Sequence, residues 1–484
     1  MEKCLRDQGI TGPPYQLLYG NTKEILMSMK KEQAKPMEIS HHTLSRILPF
    51  DHQAVEDYGK SFVSWYGPTP RVNIMDPEVI RDILSDKFGH FGKVQNPFAK
   101  VTMQGLFTYE GEKWVKHRRI INPAFHQEKL KMMLPAFTTS CMEVINKWQK
   151  LVSEGSFELD VWSDIQNLSA DVISRTAFGS SYEEGRRIFQ LQTEQAKLIM
   201  QLAISIYTYI PGFWFLPTKT NKRIKEIYRE VRTLLREIIK KRERGMRFGK
   251  TNNADLLGIL MESNLKEIEN GGSDKNVGMS IDEVIEECKL FYFAGQETTS
   301  SLLVWTMIVL SMHPEWQQKA REEVMQVIGK RTPDFEDLNQ LKIVTMIIYE
   351  VLRLYPPVAA VIRATHKKTN VGKVALPPGV QISLPILFVN HDSTFWGEDV
   401  EHFNPERFSG GISKATKNQV SFFPFGWGPR ICIGQTFSMI EAKMAVAMIL
   451  QNFSFKLSAT YQHAPYTIIT LQPQHGAQLI LRKL

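Results

Sequence analysis

Between Ser280 and Pro314 the chain carries one unbroken helical pattern, and this segment constrains the fold more than any other. Ser280 and Glu283 form an S-x-x-E capping box, in which each residue satisfies a free N–H of the helix start. Apolar side chains recur every three to four residues as far as Met312, and Pro314 stops the pattern. At 1.5 Å per residue such a helix is about 48 Å long, enough to cross a whole domain. Near its middle lies Ala294-Gly295-Gln296-Glu297-Thr298-Thr299. A glycine inside a helix costs about 1 kcal/mol relative to alanine, so something should repay it. Ala294 and Gly295 remove bulk where a flat ligand can lie against the backbone. Thr298 is spaced to bond back to the Ala294 carbonyl, which bends a helix and opens a groove. Glu297 beside it makes an acid–alcohol pair suited to relaying protons. The plainer alternative is a kinked helix with a solvated glutamate.

The 484-residue chain as a whole reads as mainly α with a minor, late β component. Helical spacing predicts helices at Pro77–Ser85, Trp114–Ile121, Gln127–Leu151, Asp160–Phe178, Glu183–Ile206, Lys222–Arg244 and Gln435–Gln451. Others run from Pro314 to Gly329 and up to Pro356-Pro357. Arg242–Asn253 and Asn270–Gly278 read as exposed loops. Arg71–Met75, Val371–Val374, Val380–Leu384, Tyr466–Leu471 and Ala477–Leu481 are strand-like, so β structure is expected at about 60–80, 371–385 and 464–484. No linker or repeat divides the chain, and residues 1–484 are expected to form a single domain. A net charge of +8 without a nucleic-acid module signature favours a lipid surface or an acidic redox partner over nucleic acid. Four scattered cysteines (Cys4, Cys141, Cys288, Cys432) do not make a disulfide framework, so a reducing compartment is expected.

Residues 422–435 read FFPFGWGPRICIGQ. Gly426 and Gly428 permit a tight turn at positive φ and a close backbone approach to a flat cofactor. Pro424 and Pro429 stiffen the loop. Cys432 stands just before a helix, where free N–H groups and the positive dipole end favour a thiolate. Arg430 offers a planar fork for a carboxylate. The plainer alternative is a structural cysteine in a glycine-rich turn.

Phe425, Gly428, Arg430, Cys432 and Gly434 satisfy F-x-x-G-x-R-x-C-x-G, which resembles the haem-binding signature of the cytochrome P450 family. Glu350 and Arg353, three apart on an apolar helix, resemble the family's E-x-x-R. Arg407 in Phe403-Asn404-Pro405-Glu406-Arg407-Phe408 matches the arginine that joins it in a buried structural ion cluster. Trp114 and Arg118 resemble W-x-x-x-R, and Arg363 matches a further propionate-binding position. The Ala294–Thr299 segment resembles [AG]-G-x-[DE]-T-[TS]. These motifs follow in the family's order along essentially the whole chain. Their wording is most similar to plant microsomal terpenoid oxidases, the group that contains secologanin synthase.

The resemblance implies a cytochrome P450 fold with haem b held between the long central helix and the cysteine loop. Cys432 would ligate the iron. Trp114, Arg118, Arg363 and Arg430 would bind propionates, with Phe425, Gly428, Gly434 and Ala294 against the haem. It implies a monooxygenase taking electrons from NADPH through a flavoprotein reductase, with Glu297 and Thr298 delivering protons. Leu106, Phe107, Phe293, Val361, Thr467 and Ile468 would line a pocket for an iridoid, diterpenoid or triterpenoid. The implied location is the cytosolic face of the endoplasmic reticulum membrane, reached by an N-terminal anchor that the polar start Met1-Glu2-Lys3-Cys4 lacks. Residues 206–216, IYTYIPGFWFL, are too short to span a bilayer and read as an interfacial loop. Lys113, Lys116, His117, Arg118 and Arg119 read as a basic face for the reductase. Two other readings are a haem-thiolate isomerase or dehydratase acting on a peroxide, and a non-catalytic haem sensor or electron carrier. The acid–threonine pair argues against both.

Overall fold

Ser280 caps the long helix as its sequence predicts. Its hydroxyl accepts the Glu283 N–H, and the Glu283 carboxylate accepts the Ser280 N–H at 2.9 Å. The computed structural model describes residues 2–94, 104–152, 155–179, 182–203, 212–247, 255–270, 278–417 and 420–484. In it the helix Ile281–Met312 runs through the main hydrophobic core. From Val284 to Leu310 every residue is buried except Phe293, Ala294, Gly295 and Thr298. Glu286 and Lys289 on this buried helix are paired, as desolvation requires. Glu286 holds Arg232 at 2.5 Å and also pairs with Lys289.

Helices Gln127–Leu151, Trp162–Phe178, Lys342–Leu354 and Gln435–Asn452 surround the central helix and share its core. The closest approach is to Trp162–Phe178, at Gly295. A Cβ at that glycine would lie 2.8 Å from Ile173 Cγ1. Gly295 therefore serves helix–helix packing and leaves the space for a flat ligand to Ala294, which corrects the expectation that both residues make that space. The predicted loop at Arg242–Asn253 is also corrected, because helix Lys219–Arg247 carries through its first half. Arg242 pairs with Asp255 and donates to the Phe178 carbonyl, which fixes that turn of helix against the core. The rest of that loop, residues 271–277 of the other predicted loop and the end of the predicted Glu183–Ile206 helix lie outside the described residues.

The β structure is minor and mostly peripheral. A five-stranded sheet is ordered β1 (Phe62–Tyr66), β2 (Thr69–Asn73), β8 (Gln381–Leu384), β5 (Val361–Thr365), β3 (Phe91–Gly92), with β2 and β8 parallel and the other pairs antiparallel. A three-stranded sheet places β12 (Gln478–Lys483) between β4 (Ser156–Asp160) and β9 (Phe453–Leu457). Two predicted single strands are hairpins. Val371–Val374 is the turn between β6 (Thr369–Val371) and β7 (Val374–Leu376), made by Gly372 at φ +55°. Tyr466–Leu471 spans β10 (Pro465–Thr467), a turn and the start of β11 (Leu471–Pro473).

The Glu350–Arg353 pair forms a buried cluster of the kind its motif implies. Arg353 makes a bidentate contact with Glu350 at 2.7 and 2.9 Å, and neither side chain is exposed. Arg353 also donates to the Asn390 carbonyl at 2.8 Å, and the Asn404 N–H donates to Glu350 at 3.0 Å. Arg407 reaches Glu350 at 3.4 Å and Asp399 at 2.7 Å. One carboxylate thus ties a core helix to the segment leading to the cysteine loop. Removing one member leaves the others charged and unpaired. Glu350→Ala should cost about 3–5 kcal/mol, read as a fall in the denaturant midpoint.

Candidate functional site

The loop before Cys432 is shaped by its glycines. Gly426 (φ +73°) and Gly428 (φ +69°) take the left-handed conformation, and a Cβ at Gly428 would run into the Leu84 carbonyl. The Gly426 N–H donates to Phe423 O at 3.0 Å and the Cys432 N–H to Phe425 O at 2.9 Å, closing a tight bend. Phe425 packs against the main core, and Gly434 is the N-cap residue of helix Gln435–Asn452. Cys432 is the exposed position beside this largely buried helix, and it is a free thiol. Its side chain is open to solvent but set deep in the surrounding protein, and that burial pushes the thiol pKa up. The Gly434 N–H and the Arg118 guanidinium act in the opposite direction.

The opposite wall is the bare stretch of the central helix. Ala294 is exposed although the helix around it is buried. The Thr298 hydroxyl donates to the Ala294 carbonyl at 2.8 Å, the back-bond predicted from spacing. The two helices are tied beside the opening by Thr299 and Ser438, 3.3 Å apart, and by Phe125, whose ring meets both Phe291 and Phe437. An apolar slot with a sulfur on one side suits a flat group.

Cations collect at the slot's edge with few anions. Arg118 donates to the Ile431 carbonyl at 3.0 Å; burial lowers its pKa, and the Cys432 sulfur opposes that shift. Arg430 lies 4.2 Å over the Trp114 ring, donates to Glu110 at 2.6 Å, and keeps its buried Nη1 without a partner. Arg363 donates only to its neighbour's carbonyl among its recorded bonds, and burial together with Arg430 presses its pKa down to about 10. Lys93, beside both, is pushed down to about 7 by burial and these two arginines. Such a cluster is short of negative charge, and two carboxylates would complete it. Among the described residues no cluster of three His, Cys, Asp or Glu side chains is placed to hold a metal. One sulfur with a carboxylate-seeking rim suits an ion carried in a macrocycle with acidic side arms, so the residues present fit haem. Lys93 and Glu110 belong to no sequence motif, and only the fold brings them to the rim.

Glu297 departs from the simple acid–alcohol picture. It is buried, and its carboxylate accepts from Thr470 at 3.2 Å and Gln472 at 3.0 Å on the β10–β11 hairpin. Burial raises its pKa, opposed by those two bonds and by Lys197. Thr470 and Gln472 were invisible to motif reading, since they lie more than 170 residues away. Of the pocket candidates, Phe293 sits on the bare stretch, and Thr467 on β10 has a buried hydroxyl without a partner. Ile468 stands at the hairpin turn, and Leu106 is buried. Phe107 is half exposed under Lys93 at 4.4 Å, and Val361 packs toward the sheet core.

The basic stretch after Gly111 is less open than its sequence suggests. His117 is fully buried and bonds Glu287 at 2.6 Å. Lys113 pairs with Glu283 at 2.8 Å and Arg119 with Glu267 at 2.7 Å, while Lys116 donates to the Gly278 carbonyl. Arg118 points to the cysteine loop. The loop's geometry gives one direct expectation. Gly428→Ala must both hold a positive φ and displace the Leu84 backbone, so its melting temperature should fall and the protein should retain less bound cofactor.

The comparisons with known proteins agree with this geometry. The family model described as Cytochrome P450 matches residues 40–480. The chain is 60% identical to "Cytochrome P450 CYP72A616" of Paris polyphylla and 57% identical to "Cytochrome P450 72A397" of Kalopanax septemlobus. It is 53% identical to "Cytochrome P450 72A15" of Arabidopsis thaliana. Each match covers 100% of this chain and 93% of the relative. With a sulfur-bearing loop, a thinned central helix and an E-x-x-R cluster in one fold, the chain belongs to the cytochrome P450 family and is a monooxygenase of the plant 72A type.

Proposed function

We propose that residues 1–484 form one catalytic unit that inserts one oxygen atom of O2 into an apolar terpenoid, using haem b and electrons from NADPH through a flavoprotein reductase. The observation that carries this reading is the break in burial at Phe293–Gly295 and Thr298, on the helix tied through Thr299 and Ser438 to the one that follows the exposed Cys432. When bound, haem supplies dioxygen activation and oxygen transfer to an unactivated C–H bond.

The chain's own residues do the rest. Cys432 would hold the iron as a thiolate, a form favoured by the Gly434 N–H and Arg118. Arg118, Arg363, Arg430 and Trp114 bind and orient the propionates, while Phe425, Gly428, Gly434 and Ala294 bring low-bulk or apolar surface to the ring. Thr298 holds a hydroxyl on the slot side, and Glu297 stores a proton behind it. Leu106, Phe107, Phe293, Val361 and Ile468 present carbon to the substrate, which favours a terpenoid body. The unpartnered Thr467 hydroxyl suits an oxygen function on it. That relay also favours oxygenation over peroxide isomerisation or gas sensing.

The native protein is read as working on the cytosolic face of the endoplasmic reticulum membrane. Among the described residues no helix is long and apolar enough to cross a membrane. Most of the 206–216 run lies outside the described residues, but Phe215 at its end is 82% exposed, which suits an interfacial contact. The reductase is read as docking on the cysteine-side face through Lys113, Lys116 and Arg119, with His117 excluded by its burial.

The test is turnover with reductase, NADPH and isotopically labelled dioxygen over a panel of iridoids, diterpenoids and triterpenoids. One labelled atom should enter the product; unlabelled product, or product made without reductase, would reject the reading. Because burial raises the Glu297 pKa, its proton-carrying form persists to higher pH than in a solvated glutamate and is lost as pH rises. The alkaline fall of kcat assigned to this acid should vanish in Glu297→Gln, with kcat lower by about tenfold to a hundredfold.

A further inference from the structure

Glu287 lies on the same stripe of the central helix as Ala294 and Thr298, seven and eleven residues before them and hence nearly in line. It is fully buried, and no haem motif includes it. One of its oxygens meets His117 Nδ1 at 2.6 Å, on the helix that carries Trp114 and Arg118. The other accepts the Leu106 N–H at 3.0 Å. Just before Leu106, Gly105 has φ +118°, and a Cβ there would lie 2.8 Å from that same oxygen. Glycine is thus required twice, by its backbone and by the carboxylate it covers. The Tyr109 ring closes edge-on over His117 at 4.7 Å, and Glu283 stands 3.5 Å from the second ring nitrogen. A buried carboxylate left without these partners would be costly, so the contacts hold one another in place.

We infer that Glu287 is a positioning residue: it clamps the 104–110 segment, with its pocket residues Leu106 and Phe107, to the helix that lines the slot and to the helix that orients the haem edge. It thereby sets the shape of the substrate space without touching iron or substrate. This rests on the monooxygenase reading above, and the test separates the two. Glu287→Ala and the isosteric Glu287→Gln are compared with the parent enzyme as purified haem proteins.

Two ligands of the iron serve as probes: imidazole, which needs only the metal, and clotrimazole, whose bulk must fit the wall. Titrations follow the Soret shift. Hydrogen exchange over residues 104–110 reports the clamp itself. The expectation is faster exchange in that segment and clotrimazole binding weakened about tenfold or more in Glu287→Ala. Imidazole affinity should stay within about twofold, and Glu287→Gln, which can still accept the Leu106 N–H, should fall between. Unchanged exchange in both variants, or equal weakening of the two probes, would overturn the inference. If Glu287→Ala fails to retain haem, Glu287→Gln carries the comparison alone. A parent protein that binds neither probe would instead refute the haem reading, while the exchange result would still judge the clamp.

Discussion

The rest of the structure depends on how the Cys432 sulfur is held within the protein. Burial alone favours the neutral thiol at Cys432, and the Gly434 N–H with the Arg118 guanidinium pull the other way. The net direction is upward, so a thiolate at this position would need a further cation, the role proposed for the iron. Much else follows from that requirement. The left-handed turns at Gly426 and Gly428 bring the backbone round so that the Cys432 N–H bonds to Phe425, with the Cys432 side chain left exposed. The buried Glu350–Arg353–Arg407 cluster fixes the core helix against the segment from which the loop departs.

The slot's chemistry is asymmetric, and this explains why so many arginines gather at one edge. Burial and Arg430 lower the basicity of Arg363, burial and Arg118 lower that of Arg430, and Glu110 opposes both shifts. Cations gathered with one carboxylate are short of negative charge, which suits the proposed dicarboxylate ligand. The opposite side is apolar. There the helix gives up side-chain bulk at Ala294, and the Thr298 hydroxyl donates its proton to the Ala294 carbonyl. Glu297 is held by Thr470 and Gln472, so the proposed proton delivery would exchange those bonds for others.

What was legible in the sequence is what local spacing dictates. The Ser280 capping box, the Thr298–Ala294 back-bond, the positive-φ glycines and the Glu350–Arg353 pair each involve residues within a few positions of one another. What was not legible depends on segments far apart in the chain. Lys93, Glu110, Thr470, Gln472 and Glu287 acquire their partners only when distant segments meet. Gly295 was read as making room for a ligand because the pattern does not say which face it occupies; Ile173 occupies that face. Strands β4 and β9 escaped notice because each borders a strong helical pattern and gains its pairing from β12. The basic run at 113–119 misled for a similar reason, since its acidic partners come from the helices Leu256–Asn270 and Ile281–Met312.

The central claim is that the side chain at 432 binds iron as a deprotonated sulfur. Reducing the purified haem protein under carbon monoxide tests it directly. The account predicts the strongly red-shifted Soret band that only thiolate ligation produces, present in the parent protein and absent from Cys432→His even when that variant retains haem. A parent spectrum of the unshifted, nitrogen-ligated kind, or a red-shifted band surviving in Cys432→His, would contradict it.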